Sequence, residues 1–225
     1  MFSTDPRLAL LDLIAALSFK LGDFTLASGQ RSDYYIDCRT TTLHAEGGLL
    51  AGLVLYELIR ERMPTAVAVG GLTMGADPLV SNTASASAWA LADYNETRAL
   101  ASELALEGDD PGPAPPLIHG FLVRKAEKAH GTGRRIEGFL HPGAEVVVVD
   151  DVCTTGGSTI TAIEAVRDAG MSVAGVLCLV DREQGGRLNI ERVLAEVPSD
   201  QDIPFLSVFT ATDIRTAHIA LRGLR

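Results

Sequence analysis

The run Val146-Val147-Val148-Val149-Asp150-Asp151-Val152-Cys153-Thr154-Thr155-Gly156-Gly157-Ser158 restricts the possible folds of this chain more than any other stretch. Four consecutive β-branched residues suit a strand buried on both faces. Asp150 and Asp151 follow where such a strand should leave its sheet, and Thr154 to Ser158 make a small-residue turn. Thr159 to Ala169 then reads as an amphipathic helix, with Ile160, Ile163 and Val166 on one side and Gly170 as its stop. Strand, small-residue loop and helix start together make an anion site, because backbone N–H groups and the helix dipole point at the loop.

The paired acids narrow the chemistry. A Walker loop needs Gly-Lys-Ser/Thr and a dinucleotide loop needs Gly-x-Gly-x-x-Gly; the run carries neither. Carboxylates repel phosphate, so Asp150 and Asp151 should face something neutral or cationic, either sugar hydroxyls or a metal. A sugar phosphate satisfies both halves. Taken alone, Asp-Asp reads equally well as the solvated end of a buried strand.

At 225 residues the chain can bury one good core, so a single domain over 1–225 is expected. Hydrophobic residues make up 47% and aromatics only 5%, which suits an aliphatic α/β core. A net charge of −10 argues against a broad nucleic-acid surface and makes local clusters of cations informative. Cys38, Cys153 and Cys178 are odd in number and far apart, with no CxxC pair. That spacing fits neither a disulfide framework nor a zinc site, and a reducing cytoplasm is expected. Asp5 and Asp12 interrupt any signal-like start, and no apolar stretch reaches membrane-spanning length.

Asp5-Pro6 opens a helix with an N-cap and a proline at its first position. Its stripe of Leu8, Leu11, Ile14, Ala15 and Leu17 should end at Gly22. Short strand-like runs around Ala27-Ser28-Gly29-Gln30 predict a hairpin that places Tyr34 and Tyr35 in a small hood over residues 1–40. Cross-strand packing explains those tyrosines as well as a lid over a flat ligand does. Gly47 to Met63 is a second helix and Ala66 to Val69 a strand; Gly70-Gly71 and Leu72 to Asp77 then form a second candidate anion site before a helix from Pro78. Residues 93–117 are acidic and then Pro-rich, and read as an exposed insert, partly helical around Thr97 to Leu106.

Leu117 to Val123 is another strand. Five of the nineteen Lys and Arg residues fall in the next twelve positions, Arg124 to Arg135, with Gly131 and Gly133 among them. That composition predicts a mobile basic loop over 124–137. A charge run is usually just a solvated face, but here it follows a strand expected beside the candidate phosphate strand, which favours a pyrophosphate-like ligand. Val173 to Val180 is a buried strand, and Arg182 follows at the functional edge of an open α/β sheet. There it could meet a carboxylate-bearing substrate or simply pair with Asp181 or Glu183. A helix over Ile190 to Leu194, a strand over Pro204 to Phe209 and a capping box at Thr210 and Asp213 complete the chain.

The run at 146–158 resembles the phosphoribosyl pyrophosphate (PRPP) motif of the type I phosphoribosyltransferases. Further segments resemble the orotate branch of that family: Phe24-Thr25-Leu26 with Ser28-Gly29 and Tyr34-Tyr35, Val123-Arg124-Lys125 with Lys128 and His130-Gly131-Thr132-Gly133, Ile136-Glu137-Gly138, and Asp181-Arg182. The match spans nearly the whole chain outside 93–117. It implies a mainly parallel sheet flanked by helices with a small N-terminal hood. The implied reaction is transfer of ribose 5-phosphate from PRPP to orotate, giving orotidine 5′-monophosphate and pyrophosphate. It also implies Mg²⁺ held mainly by PRPP and water, without direct side-chain ligation, and a homodimer whose basic loop reaches the neighbouring site.

The resemblance assigns roles residue by residue. Lys128 is the implied catalytic cation, with Arg124, Lys125 and His130 around the pyrophosphate. Asp150 and Asp151 hold the ribose hydroxyls near the developing positive charge. Val152, Cys153, Thr154, Thr155, Gly156, Gly157 and Ser158 complete the PRPP cradle. Thr154, Arg182, Tyr35 and Ile36 are the implied orotate contacts. Ala27 stands where several family members carry lysine, and Met74 where some do; neither supplies charge here. A purine-specific transferase and a PRPP-sensing nucleic-acid-binding regulator are the rival readings. Arg182 with the Lys128 loop argues against the first, and the net charge against the second.

Overall fold

A computed structural model describes residues 5–25, 31–103, 112–125, 135–196 and 203–223. Helix α1 (Pro6–Leu13) starts where Asp5 accepts a hydrogen bond from the Arg7 amide at 2.8 Å. A π-helical turn over Ile14–Ser18 follows. The chain then enters the antiparallel pair β1 (Phe19–Thr25) and β2 (Arg31–Ile36), the expected hood hairpin. The helical stretch therefore ends at Ser18, not at Gly22. Phe19 leaves it to bury its ring, 2% exposed, between Tyr34 and His218.

After α2 (Arg39–Thr42) and α3 (Ala45–Arg62), β3 (Ala68–Leu72) opens the main sheet and leads to α4 (Asp77–Glu103). Then come β4 (His119–Val123), β5 (Ile136–Gly138), β6 (Glu145–Cys153), α5 (Gly157–Asp168), β7 (Ser172–Asp181), α6 (Gly186–Ala195), β8 (Phe205–Thr210) and α7 (Ala211–Leu221). The order across the sheet is β5-β4-β3-β6-β7-β8, and every pairing is parallel except β4 with β5. This is the expected mainly parallel α/β fold. The capping box at Thr210 and Asp213 is present, with both reciprocal bonds.

Alternation along β6 divides two cores. Val147 and Val149 pack with Leu55 and Ile59 of α3, Leu79 of α4 and Ile214 of α7. Val146 and Val148 pack with Ile163 and Val166 of α5 and Ile190 of α6. All four valines are at most 1% exposed, and each such burial is worth roughly 1.5–3 kcal/mol. Helices thus cover both faces of the sheet.

One expectation needs correction, and two segments gain detail. First, β6 does not end before its acids: Asp150 pairs with Cys178 of β7, and the ladder continues to Cys153 opposite Asp181. On the other side β6 leaves β3 after Val148, opposite Gly70. Second, the stretch from residue 93 begins as the last turns of α4, since Ala84 to Ala101 is rich in good helix formers and has no Gly or Pro. Its described end is tied down, with Tyr94 donating to the Gly112 carbonyl at 2.8 Å and Tyr56 to that of Pro116 at 3.2 Å. Third, the basic segment is closed at its base: β5 pairs with β4, and the Arg124 amide donates to the Arg135 carbonyl at 2.8 Å.

Candidate active site

From β3 the chain crosses through α4 to β4, while from β6 it crosses through α5 to β7. The two crossovers lead away from each other, so a crevice opens at the carboxyl ends of β3 and β6, the place where open α/β sheets bind ligands. A cavity of about 610 Å³ occupies it. Asp150, Asp151 and Val152 line it from β6, Thr73, Met74 and Gly75 from the loop after β3, and Tyr35 and Ile36 from the hood. Thr154, Ser158, Lys125 and Arg182 complete the polar wall.

Asp150 is 7% exposed. Its Oδ1 accepts from the Asp151 amide at 3.0 Å, and its Oδ2 accepts from Thr159 Oγ1 at 2.8 Å. Burial first, and then the Asp151 charge, push its carboxyl up to about 7. Burial also raises Asp151, against the amide of Val152, 2.9 Å from its Oδ1, and the positive charge of Arg39. Two buried neighbouring carboxyls resist double ionisation. A ligand that donates hydroxyl protons to them would favour the charged form.

The loop before the acids and the loop after them differ in construction. Gly75 presses against Asp151 so closely that a Cβ would overlap the carboxylate. The Thr73–Met74 peptide is cis, and the Met74 side chain is 66% exposed at the cavity. On the other side Gly156 adopts φ 82° at the N-cap of α5 and leaves the helix without a side-chain cap. The first-turn amides of α5 therefore keep donors with no intrahelical partner, as phosphate binding requires.

Arg182 is 7% exposed and its Nε, among the described residues, has no hydrogen-bond partner. The acids on either side of it are engaged elsewhere. Asp181 accepts from the Glu183 amide at 2.8 Å and lies 3.6 Å from Arg187. Glu183 Oε2 accepts from Thr212 Oγ1 at 2.6 Å and from the Thr212 amide at 3.1 Å, at the start of α7. Of the two alternatives for Arg182, pairing with a sequence neighbour is thus excluded. A buried guanidinium without a carboxylate is costly to maintain, and an anionic ligand in the cavity would offset that cost.

Other expected site residues fall in different places. Arg124 pairs with Glu137 at 3.2 Å at the base of the basic segment and does not line the cavity. Cys153 turns its thiol into the core beneath α5 and α6. Its amide donates to Cys178 Sγ at 3.2 Å and its carbonyl accepts from the Arg182 amide at 2.9 Å, so its role is to hold the Arg182 loop. Thr155 and Gly157 are exposed on the turn. Lys128, His130 and Ala27 lie outside the described residues.

Sequence reasoning missed Asp37 and Arg39, which line the same cavity. Arg39 forks onto Asp37 through Nε at 2.9 Å and Nη2 at 2.8 Å, and these bonds hold the Asp37 carboxyl below its usual range. An Asp-x-Arg directly after the hood strand was the available signal.

A profile of the phosphoribosyl transferase domain matches residues 123–204. The chain is 39% identical over 211 residues to an orotate phosphoribosyltransferase of Aquifex aeolicus, covering 92% of this chain and 97% of that protein. It is 42% identical over 187 residues to that of Streptomyces avermitilis, covering 83% and 88%. Among solved structures, orotate phosphoribosyltransferase of Mycobacterium tuberculosis in complex with PRPP is similar with a TM-score of 0.66 at 32% identity, covering 94% of this chain and 99% of that one. On this likeness, which spans hood, sheet and crevice alike, the chain belongs to the orotate phosphoribosyltransferase family.

Proposed function

We propose that the chain transfers the ribose 5-phosphate of PRPP to orotate in a Mg²⁺-dependent reaction that releases pyrophosphate, and that it acts in the cytoplasm as a homodimer. The observation that carries this reading is Arg182, a buried cation with no carboxylate partner among the described residues, in one cavity with Asp150 and Asp151. Arg182 takes the orotate carboxylate. Thr154, Tyr35 and Ile36 border the ring. The amides of the turn from Thr154 to Ser158 take the 5′-phosphate.

Breaking the anomeric C–O bond leaves positive charge on the ribose and negative charge on the departing pyrophosphate. Asp150 and Asp151 accept from the ribose hydroxyls and stabilise the developing cation. Lys125 from its own cavity wall, with Lys128, His130 and Arg124 of a basic segment that reaches the neighbouring site, answers the pyrophosphate charge. The oxygen donors at the crevice suit Mg²⁺, but no cluster of three candidate ligands occurs among the described residues. The family resemblance implies an ion held mainly by PRPP and water. When bound, Mg²⁺ supplies electrostatic stabilisation of the leaving pyrophosphate. Exclusion of water by the hood and the basic segment favours attack by orotate over hydrolysis.

The test follows orotate absorbance with PRPP and Mg²⁺, beside Lys128→Ala and controls with uracil and adenine. Orotate loss that needs both PRPP and Mg²⁺ and collapses in the variant is expected. Turnover that survives Lys128→Ala removes the catalytic assignment of Lys128. Tight PRPP binding without turnover of any base overturns the reading.

A further inference from the structure

The hood holds the guanidinium of Arg182. Its Cζ sits 4.7 Å from the centre of the Tyr34 ring, and Nη2 donates to Ser32 Oγ at 3.4 Å. Ser32 is itself fixed, since its hydroxyl donates its one proton to the Tyr34 carbonyl at 2.7 Å. Its two lone pairs then accept from the Tyr34 amide and from Arg182, each at 3.4 Å. Behind Tyr34 lies Phe19, stacked with ring centres 5.5 Å apart and planes inclined by 17°. Phe19 in turn packs on His218, whose Nδ1 is 2.7 Å from the Ala15 carbonyl. Asp33, between Ser32 and Tyr34, ties the same strand to Arg215 of α7 at 2.8 Å. The stack Arg182–Tyr34–Phe19–His218 thus runs from the cavity to the C-terminal helix.

We infer that Ser32 and Tyr34 are positioning residues that set selectivity for a carboxylate-bearing acceptor, by holding the Arg182 fork toward the cavity. The inference deepens the proposed function and rests on orotate being the acceptor. A long arginine side chain carries several rotatable bonds, and one face of its fork must be fixed before the other can read a planar carboxylate. Tyr34 supplies a flat surface that fixes the plane, and Ser32 fixes the rotation within it. Neither residue lines the cavity, so neither is expected to touch the acceptor.

Steady-state kinetics of Ser32→Ala, Tyr34→Leu and Tyr34→Phe test this, with circular dichroism as the check on folding. Tyr34→Leu is expected to raise KM for orotate about tenfold, and Ser32→Ala about fivefold. KM for PRPP should stay within about twofold in both, because the donor contacts are on other loops. Tyr34→Phe keeps the ring and should stay within about twofold of the native KM for orotate. Inhibition by uracil, which lacks the carboxylate, should be unchanged, so selectivity for orotate falls. An equal rise in both KM values, a Tyr34→Phe variant as impaired as Tyr34→Leu, or an unchanged KM for orotate in the two disruptive variants overturns the inference. Absence of orotate turnover by the native protein defeats the functional reading itself, and the inference with it. Native turnover with the wrong KM pattern defeats the positioning role alone.

Discussion

Gly75 lies against the carboxylate of Asp151, with no room for a Cβ between them. The contact joins the loop after β3 to the carboxyl end of β6, the two walls of the proposed donor site. Gly75→Ala should displace Asp151 from the ribose hydroxyls while leaving the hood untouched. KM for PRPP is expected to rise about tenfold or more, and KM for orotate less than about twofold. A PRPP titration unchanged by the substitution would refute the close approach as a functional constraint.

Thr159 Oγ1 and the Asp151 amide both donate to Asp150, yet burial and the Asp151 charge dominate and raise its carboxyl to about 7. In the unfolded chain the same group titrates near 3.9. Between those values the folded protein holds a proton that the unfolded chain has lost. The stability this group contributes is therefore full below about pH 4, falls as pH rises toward 7, and is level above that. Asp150→Asn should flatten that portion, which is on the order of a few kcal/mol. Thermal melts of both proteins without ligand, from pH 5 to pH 8, give the comparison. The variant should gain on the native protein as pH rises; parallel curves would contradict the assignment.

Arg182 is a buried charge waiting for an anion, which sets stability against function. Arg182→Met keeps the volume and removes a buried cation that no carboxylate of the described residues balances. Without ligand the variant should be more stable by about 1 kcal/mol or more, a rise in Tm of about 2–4 °C. Orotate affinity should fall by about 30-fold or more. Arg182→Lys should recover little of it, because an ammonium lacks the fork that a carboxylate fits. A destabilised Arg182→Met protein would mean that the guanidinium is already satisfied in the empty site.

Much of this was legible in the sequence, for identifiable reasons. Val146 to Val149 forced a strand buried on both faces, and that strand with its glycine turn fixed the sheet's active edge. The hood was visible in the short strand-like runs on either side of Ala27 to Gln30. What could not be read was register. Local sequence cannot tell that the ladder with β7 carries on past Asp150 to Cys153, because the partner strand decides where pairing stops. Nor could it tell whether Arg182 pairs with Asp181 or Glu183. Those acids find Arg187 and Thr212, contacts that depend on where α6 and α7 begin. Asp37 and Arg39 escaped notice because a short polar pair after a strand acquires meaning only once the crevice is seen beside it.

Met74 occupies a place where some family members carry lysine, and its side chain is 66% exposed on the cavity wall beside Gly75. A lysine there would extend into the crevice without displacing packed atoms, and would add a cation where the pyrophosphate of PRPP is proposed to lie. Arg39 lines the same wall, but its fork is committed to Asp37. In the proposed reaction, backbone donors, the basic segment and Mg²⁺ would then have to balance the pyrophosphate charge. Met74→Lys should lower KM for PRPP by about three- to tenfold, since a new charge-assisted contact at a partly desolvated site contributes about 1 kcal/mol. The Mg²⁺ concentration needed for half-maximal rate should fall with it, and both effects should shrink as salt is raised. Unchanged PRPP affinity at low salt would show that the donor site is already saturated with positive charge, and that the missing lysine has been replaced in full by the other loops.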